Sequence, residues 1–190
     1  MTKLWSKNKS KNRITERKDL FNEETIPRMI FRKFSSGNPI TFESMREYLV
    51  DCIKKNDNSE LPREMQMFIG TDSTRRGRIF HFATVIILYY MKSGGTAFYT
   101  KNYEPADIDT QRKLMREAEF SIAVAMKLND ICTEYGVDLS IHCDYSNNEG
   151  AVSNKIVPAA LGYIKALGFN GCIKPHSFAA STAADRLLEA

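Results

Sequence analysis

A chain of 190 residues with 43% hydrophobic content and a net charge of +4 has the length for one full core plus appendages and the composition of an ordinary globular protein. Its longest apolar run falls far short of the roughly 18 to 20 residues that span a bilayer, and its N-terminus lacks the apolar stretch of a secretory signal, so a cytoplasmic protein is expected. Cys52, Cys132, Cys143 and Cys172 form no CxxC pair, so neither a zinc finger nor a disulfide framework is indicated, and buried reduced thiols are expected.

The positive charge sits at one end. Residues 1–20 hold Lys3, Lys7, Lys9, Lys11, Arg13, Arg17 and Lys18 against Glu16 and Asp19, a net of +5, whereas the remainder carries 20 basic and 21 acidic residues. A basic arm of this kind is expected to be disordered alone and drawn to phosphate polyanions. Residues 21–62 read as a helical prelude. Within it Ser35 to Pro39 is a turn cluster, and Thr41 opens a helix with Ser/Thr-x-x-Glu character whose Phe42, Met45, Leu49 and Ile53 recur at helical spacing.

A domain over 63–190 follows. Met65 to Thr71 reads as a strand, Arg75-Arg76-Gly77-Arg78 as a tight turn, and Ile79 to Tyr90 as a long strand rich in β-branched and aromatic residues. Ser93-Gly94-Gly95 marks a two-residue hairpin turn, and Thr96 to Lys101 a third strand. The acids of the PADIDT loop suit the N-terminus of a helix from Thr110 to Cys132, with an apolar stripe through Leu114, Ala118, Ile122, Ala125 and Cys132. Val137 to Cys143 is a fourth strand, Ile156 to Leu167 a helix stopped by Gly168, Phe169 to Lys174 a fifth strand, and Phe178 to Leu188 a last helix. The order β-β-β-α-β-α-β-α predicts an α/β fold with a mixed five-stranded sheet, three antiparallel strands and then two parallel ones, flanked by helices.

Two acids fall at carboxyl ends of predicted strands: Asp72 in MFIGTDS and Asp144 in LSIHCDYSN. Ligands of α/β sheets gather at such ends, and a carboxylate at the mouth of a core strand is costly without a cation beside it. The pair therefore points to a divalent-metal site. Ordinary roles stand beside this one: Asp72 as a turn cap, Asp144 in an Asx-turn with the Asn-rich loop that follows.

The segments Ile69 to Ser73 (IGTDS), Ile141 to Asp144 (IHCD), Gly168-Phe169 and Ile173 to Leu187 (IKPHSFAASTAADRL) resemble the ribonuclease H-like superfamily, and more narrowly the YkuK family of nucleases of that superfamily, from about Phe34 to the C-terminus. The resemblance implies a nuclease-type site of four acids that holds two Mg²⁺ or Mn²⁺ ions against a phosphodiester. The first acid matches Asp72, the third Asp144 and the fourth Asp185. The second is Glu117 or Glu119, which helical periodicity alone places on opposite flanks of the apolar stripe; the EFSIA context favours Glu119. Asp185 and Glu119 have a plain alternative as solvated helix charges.

His176, near the fourth acid and where the family resemblance leads one to expect an acidic residue, is a candidate proton shuttle. His142 is expected to pack against the core on the face away from Asp144. Ser73, Asn147, Lys155 and Lys174 are candidate phosphate contacts, and Arg75, Arg76 and Arg78 form a basic hairpin tip beside Asp72. The expected partner is nucleic acid, as RNA, DNA or a hybrid, and no membrane. The competing expectation is a non-catalytic nucleic-acid-binding or assembly module on the same fold. An actin-like ATPase needs two such domains and paired phosphate loops, for which the chain is too short.

Overall fold

The computed structural model describes residues 16–145 and 152–189. One mixed sheet organises it. Strands β1 (Phe31–Lys33), β2 (Pro39–Ile40), β3 (Met65–Arg76), β4 (Ile79–Tyr90), β5 (Gly94–Pro105), β6 (Asp138–Cys143) and β7 (Asn170–Cys172) lie in the order β2-β1-β5-β4-β3-β6-β7. The five expected strands form the contiguous block from β5 to β7. The sheet has seven strands rather than five because β1 pairs antiparallel with β5, and β2 with β1, extending one edge. The prelude is thus not purely helical.

The antiparallel meander of β3, β4 and β5 is in continuous register from Met65↔Tyr90 to Arg76↔Ile79, and from Ile79↔Pro105 to Tyr90↔Gly94. Gly77 turns the first hairpin at φ +64°, a left-handed backbone that favours glycine. The second hairpin turns over Met91 to Ser93, with Ser93 N–H donating to Tyr90 O at 2.9 Å, so β5 starts at Gly94 rather than after it. β6 joins β3 in parallel, and β7 joins β6 in parallel.

Alternation along the strands divides the sheet into two faces. Met67, Ile69, Thr71 and Ser73 point to the face covered by α1 (Phe42–Asp57) and α2 (Thr110–Tyr135), whose buried residues include Met45, Leu49, Leu114, Ala118, Ile122 and Leu128. Thr41 caps α1 by accepting from Ser44 N–H, and Asp109 caps α2 by accepting from Arg112 N–H at 2.8 Å. α3 (Val157–Ala166), preceded by the short turn Val152–Lys155, packs beside α2 and β7. On the opposite face a π-helical segment, Ala179–Ala184, runs into α4 (Asp185–Glu189); Ala184 and Leu188 pack on Ala83 and Val85 of β4.

The packed chain begins ahead of residue 21. Leu20 is buried, Arg17 ion-pairs with Asp107, and Lys18 donates to Asn102 Oδ1 at 2.6 Å. The four cysteines are free thiols, and among the described residues no helix is long and apolar enough to cross a membrane.

Candidate functional site

β3 continues to Arg76, but its pairing with β6 ends at Thr71↔Cys143. A notch opens where β6 leaves the sheet. Asp72 is the next residue of β3 and Asp144 the first residue past β6, so each stands one position beyond the last β3–β6 pair. Asp72 Oδ1 accepts from Ser73 N–H at 2.7 Å. Asp144 Oδ1 is shut off from solvent and lies 2.9 Å from Lys174 Nζ, an ion pair without good hydrogen-bond geometry.

The third acid is Glu117, from the first half of α2. It is 2% exposed, and its Oε1 accepts from Ser73 Oγ at 2.6 Å and sits 3.0 Å from Lys113 Nζ. Burial pushes its carboxyl up to about 7; Lys113 and the Ser73 hydroxyl oppose that rise, and the nearby Asp72 charge adds to it. Glu117 faces inward because it falls in phase with Leu114, three residues earlier, and Ser121, four later. A buried hydroxyl chain fixes this register: Thr71 Oγ1 bonds Thr84 Oγ1 at 3.0 Å and Ser121 Oγ at 2.8 Å, and Ser121 Oγ donates to Glu117 O at 3.2 Å.

A family model described as ribonuclease H-like matches residues 45–189. The chain belongs to the ribonuclease H-like family. No curated protein and no solved structure matches it.

On this ribonuclease H-like scaffold the expected acids separate into groups. Asp72 and Asp144 flank the notch. Glu119 turns away from it: its Oε2 accepts from Arg116 at 2.8 Å, and Arg116 also holds the buried Glu104 at 2.7 Å. Two residues along a helix rotate a side chain by about 200°, so Glu117 and Glu119 cannot share a face, and Glu117 is the one beside Asp72. Asp185 opens α4, which packs against β3 and β4; its side chain lies outside the described residues, as does Asn147.

His176 is exposed and lines a cavity of about 370 Å³ with Gln66, Asp138, Ser140 and Asn170. His142, Cys172 and Phe178 line it too, and the loop that carries His176 leaves the carboxyl end of β7, where Lys174 N–H donates to Tyr145 O at 3.1 Å. His142 is packed, as expected, at 2% exposure, with ring centroids 4.7 Å from Phe68 and 5.1 Å from Phe178. Burial lowers its pKa to about 4. The expectation that it faces away from Asp144 fails, because side chains two apart along extended chain share a face.

Ser73 is turned inward onto Glu117 instead of out toward a phosphate. Arg75 folds back on Gly77 O, and Arg76 donates to Leu188 O. Lys155 is exposed.

The sequence reading missed Lys113 and Tyr145. Lys113 stands four residues before Glu117, the spacing of a helical ion pair. Tyr145 is fully buried and its hydroxyl donates to Leu114 O, tying the segment after Asp144 to the first turns of α2. Carboxylate oxygens are the donors that Mg²⁺ or Mn²⁺ prefers, so Asp72, Glu117 and Asp144 fit such an ion in kind. Among the described residues no three His, Cys, Asp or Glu side chains converge as a ligand set; Lys113 and Lys174 supply the charge opposite Glu117 and Asp144.

Proposed function

We propose that the chain is a metal-dependent phosphodiester hydrolase acting on nucleic acid. The observation that carries this reading is the placement of Asp72 and Asp144 one residue past the last β3–β6 pair of a ribonuclease H-like sheet, with the buried Glu117 near enough to Asp72 to feel its charge. The narrower YkuK likeness, carried by Ile69 to Ser73, Ile141 to Asp144, Gly168-Phe169 and Ile173 to Leu187 together, belongs to the same proposal, with Asp185 as a fourth acid and the reducing cytoplasm as the setting.

A divalent ion held there supplies the activation of water and the stabilisation of the leaving oxygen that a phosphodiester requires. Asp72 and Asp144 are its first ligands in this reading. Glu117 would hold it with them as a carboxylate, which the Ser73 hydroxyl orients by donating to Oε1. Lys113 and Lys174, on flexible four-carbon stems, keep positive charge at the notch for the anionic substrate.

The test is cleavage of labelled RNA, DNA and hybrid oligonucleotides with Mg²⁺ or Mn²⁺. Asp72→Asn and Asp144→Asn are each expected to lose activity by about 100-fold or more while melting like the parent protein. Full activity in either variant refutes the assignment. A second reading, a nucleic-acid-binding module without catalysis, is supported by the two lysines that already pair with Glu117 and Asp144. It predicts binding with no cleavage under either metal.

A further inference from the structure

The face of the sheet opposite α1 and α2 is only partly covered. Ala184 and Leu188 pack on Ala83 and Val85, and Tyr99 and Ile87 lean against them. Toward the outer edge no element among the described residues covers the same face. Register places its side chains in rows that run straight to the notch: Thr74–His81–Tyr103, then Asp72–Ala83–Lys101, then Gly70–Val85–Tyr99–Arg32. Lys101 is two strands from Asp72 in a single row, about 10 Å between Cα atoms at ordinary strand spacing.

The uncovered part combines aromatic rings with cations. Tyr103 is 41% exposed and meets the His81 ring edge-on at 4.8 Å. Tyr99, Tyr103, Arg32 and Lys101, with Ile30 and Thr100, bound a cavity of about 380 Å³, within the size range of small-ligand pockets. Arg32 and Lys101 are exposed, and among the described residues neither forms an ion pair. Arg76, at the end of the β3–β4 hairpin, adds a third cation to this side.

We propose that this aromatic and basic sheet face binds single-stranded nucleic acid and leads it to the acids at the notch. Unstacked bases lie on the rings of Tyr103 and Tyr99, and Lys101 and Arg32 follow the phosphates. The charge is complementary to a polyanion. The rings select a single strand because bases in a duplex are stacked on one another and present no free face. The inference rests on the proposed nuclease reading for the direction of travel, but not for the binding itself.

Binding is measured by fluorescence anisotropy in EDTA, where cleavage plays no part. The probes are a labelled single-stranded RNA 20-mer, the DNA 20-mer of the same sequence, and the blunt DNA duplex. Tyr103→Ala is expected to weaken both single strands by about 5- to 100-fold, the range for one lost base stack, and to leave its melting temperature unchanged. Tyr103→Phe, which keeps the ring, is expected to restore binding. Lys101→Ala is expected to reduce the salt dependence by about one phosphate contact.

Unchanged single-strand affinity in Tyr103→Ala and Lys101→Ala overturns the proposal, as does a duplex bound more tightly than either strand. Comparison of the RNA and DNA arms assigns the strand type. The two readings fail separately. Loss of binding in Tyr103→Ala together with full cleavage by Asp72→Asn removes the nuclease assignment and leaves the platform. Normal binding in Tyr103→Ala with no cleavage by Asp72→Asn does the reverse.

Discussion

Glu117 is the residue on which the candidate site turns, because it combines burial with a second carboxylate nearby. Moving its carboxyl from the usual 4.5 to about 7 means the folded chain holds this proton more tightly than the unfolded chain. Its contribution is therefore neutral below pH 4.5. It becomes a growing cost as pH rises to about 7, and levels off above that at about 3 kcal/mol. In EDTA the wild type is expected to lose stability across this window, while Glu117→Gln, which cannot ionise, loses less. Urea denaturation at pH 5 and pH 8 checks the difference; equal losses in the two proteins remove the raised carboxyl. Asp72 and Asp144 were legible in the sequence, since each ends a strand. Glu117 is not separated from Glu119 by the stripe through Leu114, Ala118, Ile122, Ala125 and Cys132, which leaves one acid on each flank; the buried Ser121 and Leu128 widen that stripe to the Glu117 side.

At the scale of elements, α2 does most to build the notch. One side of its first half holds Glu117 against β3; the other holds Arg116 against Glu104 of β5, which is fully buried. Arg116 also donates to Lys18 O, so a single guanidinium joins α2, β5 and the segment before residue 20. Removing it leaves the Glu104 charge buried without its main partner. Arg116→Ala is expected to cost about 3 to 5 kcal/mol, whereas the double variant Arg116→Met with Glu104→Met recovers much of that. Melting curves of the single and double variants decide; a single variant that melts like wild type shows the cluster to be idle. The long elements were legible because they carry strong local signals: Thr41 and the acids of the PADIDT loop at helix starts, the runs of β3 and β4, and the glycine stop at Gly168 with φ +86°. β1 and β2 were not, since strands of three and two residues hold too few positions for alternation to show, and only their pairing with β5 defines them.

At the scale of the whole molecule, Arg17 and Lys18 are engaged with Asp107, Glu104 and Asn102, whereas Lys3, Lys7, Lys9, Lys11 and Arg13 of the basic arm lie outside the described residues, in a stretch with no acid among residues 1–15. These five cations exceed the net charge of the entire chain, +4, so without them the rest is close to neutral. The two parts are expected to respond differently to truncation. Deleting residues 1–15 should leave the melting temperature unchanged and flatten the salt dependence of single-strand binding, by at most about 3.5 in the slope of log K against log salt for five phosphate contacts. Deleting residues 1–20 removes the buried Leu20 and the cations over Glu104 as well, and should cost the fold about 2 kcal/mol or more. Thermal melts and anisotropy titrations at two salt concentrations on both truncations separate the effects. An unchanged salt slope after the shorter deletion would show that the arm takes no part in binding. An unchanged melt after the longer one would show that Leu20, Arg17 and Lys18 contribute nothing to the packed chain.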